Sequence, residues 1–173
     1  KNSNREHKET FTNSAELGIV SQREFFDKDI TNLKNITNYY VVEENDFVYN
    51  PRISNFAPVG PINRNKLGRK GIMSPLYTIF KVEDINILFL EYYFKTSQWH
   101  KFMKLNGDSG ARSDRFTIKI DLFMKMPIMR PTFEEQEKIG DFFNKLEQLI
   151  EKQSRKVELL KQRKKGLLQK MFV

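Results

Sequence analysis

Basic side chains gather at three places where the surrounding residues favour loops. Arg52 follows a short β-like run at residues 47–50. Arg64, Lys66, Arg69 and Lys70 lie in residues 58–71, a stretch broken by Pro58, Gly60, Pro61, Gly68 and Gly71, with the amides of Asn63 and Asn65 beside them. Arg112 and Arg115 flank the turn at residues 110–114, with Ser109 and Ser113 nearby. A guanidinium held on a positioned loop matches the two acceptors of a guanine edge, while Lys, Ser and Asn suit phosphate oxygens and other base edges. The residues alone leave two readings open. One is a DNA contact set of Arg52, Asn63, Arg64, Lys66, Arg69, Lys70, Ser109, Arg112 and Arg115; the other is a group of solvated loop charges. A formal net charge of +8 suits a polyanionic partner, because neutralised phosphates release counterions, yet many basic proteins bind no nucleic acid.

Catalytic constellations are scarce. His7 and His100 are far apart and lack a companion at metal-ligand spacing, and His100 follows Trp99 in a helix that reads as buried, which suits a packing role. There is no phosphate-cradling Gly-x-x-x-x-Gly-Lys-Ser/Thr and no Gly-x-Gly-x-x-Gly, and Gly107-Asp108-Ser109-Gly110 lacks the nucleophile-elbow spacing. Tyr49-Asn50-Pro51-Arg52 is superficially similar to the Asn-Pro-Pro-aromatic element of adenine methyltransferases. It departs at both later positions and has no cofactor loop upstream. No cofactor and no metal are expected, and the expected role is non-catalytic.

The elements that must position these groups form two parts, residues 1–130 and 131–173. The first reads as a mixed α/β or α+β domain whose strand order is not legible. Residues 1–10 are polar and loose, unlike a secretory signal. Residues 38–42 and 47–50 read as short strands around a turn-like Glu43-Glu44-Asn45-Asp46, residues 58–71 as a loop, and residues 76–82 as a further strand. Residues 84–104 carry Ile87, Leu90, Glu91, Phe94, Gln98 and Phe102 near the helical period, which predicts one mostly buried helix. A loop at residues 107–114 and a last strand at 126–129 complete the domain. Cysteine is absent and no apolar run approaches the roughly 18 residues of a membrane span, so a cytoplasmic protein is the expectation.

Beyond Pro131 the composition changes. Thr132-Phe133-Glu134-Glu135 matches a capping box, acids cluster in the first turns, and Lys161, Arg163, Lys164, Lys165 and Lys170 crowd the end, as the helix dipole favours. A helix from residue 133 to about 171 spans about 57 Å. Ile139, Phe143, Leu146, Ile150, Gln153, Val157, Leu160, Lys164, Leu167 and Met171 alternate at spacings of four and three, the pattern of a coiled-coil seam interrupted by Gln153 and Lys164. Phe142 and Leu149 widen the first half of the stripe, which predicts packing of that half on the globular domain. An ordinary amphipathic helix folded onto its own domain is the competing reading.

Taken in order, Asp46-Phe47-Val48-Tyr49-Asn50-Pro51-Arg52, Ser74-Pro75-Leu76-Tyr77, Gly107-Asp108-Ser109-Gly110-Ala111-Arg112, Pro131 with Glu135-Gln136-Glu137-Lys138-Ile139, and Lys164-Lys165-Gly166-Leu167-Leu168-Gln169-Lys170-Met171-Phe172 resemble the target recognition domains of type I restriction-modification specificity subunits. The resemblance covers most of the chain. It implies that the domain reads one half of a two-part site in double-stranded DNA. It also implies that the helix pairs antiparallel with the helix of a second half. The pairing residues are then Ile139, Phe143, Leu146, Ile150, Val157, Leu160, Leu167 and Met171. The implied partners are a methylation subunit and, through the complex, a restriction subunit. Family members carry two such halves in one chain, and this sequence has one without internal repeat. It is therefore expected to be the C-terminal half of a longer protein or a half-subunit that dimerises. The alternative from another class is a coiled-coil interaction adaptor with non-specific basic loops; an enzyme is a distant third.

Overall fold

The computed structural model describes residues 1–26, 33–109 and 114–172. It has a mixed α/β globular part and one long C-terminal helix. The first strands, β1 (Phe11–Ser14) and β2 (Gly18–Ser21), form an antiparallel hairpin with Phe11 opposite Ser21. Its turn is set locally: the Ser14 hydroxyl accepts from the Glu16 and Leu17 amides, both at 3.3 Å. A short helix, α1 (Gln22–Phe26), follows, and after a 3₁₀ turn at Leu33–Asn38 come β3 (Tyr40–Val42), β4 (Phe47–Tyr49), β5 (Ile62–Arg64), β6 (Gly71–Met73) and β7 (Thr78–Phe80). The order β5-β4-β7 makes a three-stranded antiparallel sheet, and β3 pairs with β6.

Every residue of β4 is buried, and side chains alternate across a strand, so β4 serves two cores. Phe47 and Tyr49 enter a larger cluster with Leu90, Phe94, Trp99 and Phe123. Val48 joins Phe11, Val42 and Met73 on the opposite side. The two strands expected around the Glu43–Asp46 turn are present, but they pair with β6 and with β5 and β7, not with each other.

Several expectations are corrected. The polar N-terminus is anchored: Asn2 is buried, its amide N–H donates to Tyr39 O at 2.8 Å, and its side chain donates to His7 O at 2.8 Å. The Gly/Pro-rich stretch at 58–71 contains β5, because Ile62 faces the large core and pairs with Tyr49. No strand forms at 126–129; a short helix, α4 (Ile120–Phe123), precedes that segment, and Met126 and Ile128 pack on the core.

A further correction concerns the long buried helix, which divides into α2 (Ile87–Phe94) and α3 (His100–Asn106). Thr96 Oγ1 donates to Tyr93 O at 2.7 Å and Lys95 N to Tyr92 O at 3.1 Å, ending α2. The break brings Trp99 back onto Phe94, where its ring stands edge-on at 5.8 Å and its Nε1 donates to Phe94 O at 3.1 Å. In a continuous helix, residues five apart lie about 140° apart and cannot meet this way.

Strands β8 (Gly107–Asp108) and β9 (Thr117–Ile118) pair antiparallel, and α5 (Phe133–Met171) ends the chain with the bounds read from the sequence. Its capping box is formed: Thr132 Oγ1 accepts from Glu135 N at 3.4 Å, and Glu135 Oε2 accepts from Thr132 N at 3.1 Å. The foot of α5 docks on α2 through Gln136, Gly140, Phe143 and Glu147. Gln136 Oε1 accepts from Asn86 N at 2.9 Å, and Gln136 Nε2 donates to Pro131 O at 3.0 Å. Phe142 and Leu149, expected to pack on the domain, are instead 58% and 56% exposed. Close approach at Gly140 selects a different face. A β-carbon there would lie 2.7 Å from Leu88 Cβ and 3.0 Å from Phe89 N.

Replacing this hydrogen by bulk should force the helices apart. Gly140→Val is expected to lower the unfolding free energy by about 2–3 kcal/mol, as overpacking does. Gly166 should behave oppositely, because a β-carbon added there would meet nothing within 4 Å. At that position Gly166→Ala is expected to stabilise by up to about 1 kcal/mol through helix propensity. Urea unfolding of the two variants checks both signs.

Candidate nucleic-acid interface

Segment 49–53 is held rigidly before it presents any charge. Tyr49 Oη donates to Val59 O at 2.9 Å and to Phe116 O at 3.3 Å, and burial pushes this phenol well above its ordinary range. Asn50 Nδ2 donates to Asn13 O at 2.8 Å, and its Oδ1 accepts from Arg52 N at 3.0 Å. Residues 51–53 then run antiparallel to residues 114–116: Phe116 N donates to Pro51 O at 2.7 Å and Ile53 N to Asp114 O at 3.0 Å. These two bonds flank Arg52 and Arg115 and set them directly opposite one another as a non-hydrogen-bonded pair, the arrangement with the closest side chains.

Like charges directly opposite across a ladder are destabilising. The compensation is slight. The only ion pair of Arg115 among the described residues is with Asp114, at 3.9 Å, and Arg115 Nε is buried without a hydrogen-bond partner there. Arg52 makes no side-chain ion pair among the described residues. Beside Arg52 opens a cleft of about 470 Å³ whose wall includes Asn13, Asn50, Ser54, Ser74 and Tyr77. Thr10 Oγ1, also on that wall, is buried without a partner among the described residues.

Strand β8 and Ser109 lie across from the segment that carries Arg115. β8 and β9 bring these two arms together, and Gly107 permits the approach, since a β-carbon there would meet Phe116 Cε1 at 2.3 Å. Ser109 is exposed at one arm and Arg115 is partly exposed at the other. Arg112 lies outside the described residues.

The remaining loop cations are engaged elsewhere. Asn63 Nδ2 donates to Asn13 Oδ1 at 2.7 Å and to Ser14 O at 3.1 Å, tying β5 to β1. Arg64 meets Glu91 Oε2 at 2.6 Å through Nη2 and Asn45 Oδ1 at 2.6 Å through Nη1. Lys66 reaches Glu91 Oε1 at 2.9 Å. Arg69 grips Glu9 with two bonds, 2.9 and 2.7 Å, and lies over the Phe11 ring at 5.9 Å. That hydrogen bonding holds the Glu9 carboxyl below its ordinary value against the desolvation that would raise it. Lys70 and Lys81 share Glu43 at 2.7 and 2.6 Å. The eight described residues of this group thus separate into a set at the surface near Arg52 and Arg115 and a set paired within the fold.

Glu91 is the residue that composition-based reading passed over as a contributor. It sits on the buried helix in the apolar register, and a lone acid there demands a cation, which was the available signal. Among the described residues, no helix is long and apolar enough to cross a membrane, and no group of three or more His, Asp or Glu side chains is arranged to hold a metal ion.

The Glu43 clamp makes an acid-stability prediction. Hydrogen bonds from Lys70 and then Lys81 lower its carboxyl from 4.5 to about 2. A depressed carboxyl stabilises the fold fully above the unfolded value, and that contribution is lost as pH falls through the folded one. Thermal unfolding across pH should therefore show wild type above Glu43→Gln at pH 5–7, with the two curves converging as pH falls from 4.5 toward about 2. No protein-family model matches the chain, and no curated protein matches it.

Proposed function

We propose that this chain is the DNA-reading half of a type I restriction-modification specificity subunit. In this reading the domain contacts double-stranded DNA through Arg52, Arg115, Ser109 and Arg112, has no catalysis of its own, and works in the bacterial cytoplasm. The observation that carries it is the Arg52–Arg115 pair. Two arginines are set at facing positions by a backbone ladder, and among the described residues Asp114, at 3.9 Å from Arg115, is the one carboxylate paired with either. An anionic strand entering between them relieves that repulsion, and guanidinium forks suit both phosphate and guanine edges.

The helix supports the second half of the reading. From Ile150 to Met171 the stripe of Ile150, Val157, Leu160, Leu167 and Met171 is 49–74% exposed, a surface that a lone helix in water does not keep uncovered. Docking on α2 uses a face centred roughly 100° around the helix from this stripe at about 100° per residue, so both can be filled at once. The faces share Phe143, which is tilted against Tyr92 at 5.3 Å, and Ile139 is half-buried. Acids at the start of α5 and bases at its end favour antiparallel pairing, either with a second copy or with another half. The methylation subunit, and through it the restriction subunit, completes the assembly in this reading.

One observation favours the adaptor alternative: Arg64, Lys66, Arg69 and Lys70 are neutralised internally and offer little to a polyanion. Co-expression with a compatible methylation subunit in an unmodified host, followed by mapping of methylated adenines, separates the two readings. A bipartite motif with a fixed gap is the expected result, palindromic if two copies pair. Sequence-independent DNA affinity with no motif from an assembled complex favours the adaptor. In direct titrations, Arg52→Ala and Arg115→Ala should each cost about 1–3 kcal/mol at a base contact, while Arg69→Ala leaves affinity unchanged. Leu160→Asp combined with Leu167→Asp should abolish pairing in sedimentation measurements without unfolding the globular part.

A further inference from the structure

A charge cluster that DNA contact does not employ joins the globular part to the projecting helix. Glu91 on α2 is 6% exposed and receives Arg64 from β5 at 2.6 Å, Lys66 at 2.9 Å and Lys95 at 3.9 Å. Glu147 on α5 receives Lys95 at 2.5 Å, the Tyr92 hydroxyl at 3.1 Å and Lys66 at 3.9 Å. Desolvation pushes the Glu147 carboxyl up, but Lys95, Tyr92 and Lys66 together hold it below its ordinary value. Lys66 and Lys95 therefore bridge two carboxylates that belong to different elements.

The position of Glu147 gives the cluster leverage. At Gly140 a β-carbon would strike Leu88 and Phe89 of α2, and Glu147 lies about 10 Å further along the axis. Beyond Glu147 the helix continues for about 36 Å. Small residues at a crossing permit rocking, whereas charge pairs with defined geometry select one orientation. A tilt of about 10° at this point moves the helix tip by about 6 Å, close to two base-pair steps of about 3.4 Å.

We propose that this cluster is a latch that fixes the direction of α5, with Glu91 and Glu147 as positioning residues, and that it thereby sets the gap between the two DNA half-sites. The spacing clause rests on the function proposed above; the direction clause does not. Pairing through the free stripe then transmits the latched angle of each helix to the separation of the two reading domains.

The chain has no cysteine, so Glu44→Cys and Gln162→Cys place spin labels uniquely on the globular part and on the helix, both at exposed positions. Pulsed dipolar distance measurement, with labelled chain diluted in unlabelled chain, is expected to give a narrow distribution. Glu147→Gln should broaden it about twofold or shift its mean. Glu91→Gln should broaden it as well. If that buried change unfolds the protein, Glu147→Gln, at a side chain 42% exposed, still decides the matter. An unchanged distribution in Glu147→Gln overturns the latch. In the co-expressed complex the same variant should methylate the same half-sites at two or more gap lengths. A single unchanged gap, despite a broadened distribution, overturns the spacing clause. Broadening in a system where even the wild-type complex methylates nothing upholds the latch and locates the failure in the proposed function.

Discussion

The docking of α5 on α2 is the constraint from which most of the architecture follows. Gln136 caps the exposed start of α2 by accepting the Asn86 amide, and the missing side chain of Gly140 lets the two backbones close. A buried glutamine at 2% exposure is tolerated because both ends of its amide are satisfied. With that contact made, Phe143 meets Tyr92, Glu147 meets Lys95, and the face of α5 that would otherwise lie on the domain is turned outward.

Three acids of the globular part decide how its loop cations are engaged. Glu91, carried on the buried helix, draws Arg64 and Lys66 inward, as a carboxylate out of water requires. Glu9 and Glu43 engage Arg69, Lys70 and Lys81 at the surface. Most of the cations that looked alike as loop residues therefore act as ties between elements. Arg52 and Arg115 differ because their neighbourhood is built from amides and hydroxyls, which orient the backbone without cancelling charge.

The legible parts of the site and fold were those with short-range causes. Thr132 and Glu135 are three residues apart, so their reciprocal bonds could be foreseen from spacing. The strands β3, β4 and β7 declared themselves through β-branched and aromatic residues, but β5 hid among glycines and prolines because only its pairing with β4 makes it a strand. The α2–α3 break was obscured for a similar reason. Apolar residues continue at helical spacing across it, and the return of Trp99 to Phe94 becomes visible only once the core is assembled.

The residues by themselves determined α5: its start, its end, its dipole-matched charges and its continuous apolar stripe, because capping and periodicity act within a few residues. They also determined that arginines would stand beside the Asn50 and Gly107 turns. Only the tertiary structure decided which of the basic groups remain uncommitted and which face of α5 is left open. The reason is separation along the chain. Arg64 finds Glu91 across 27 residues and Arg69 finds Glu9 across 60, and the choice of partner depends on strands and helices brought together by burial of apolar side chains that carry no charge at all.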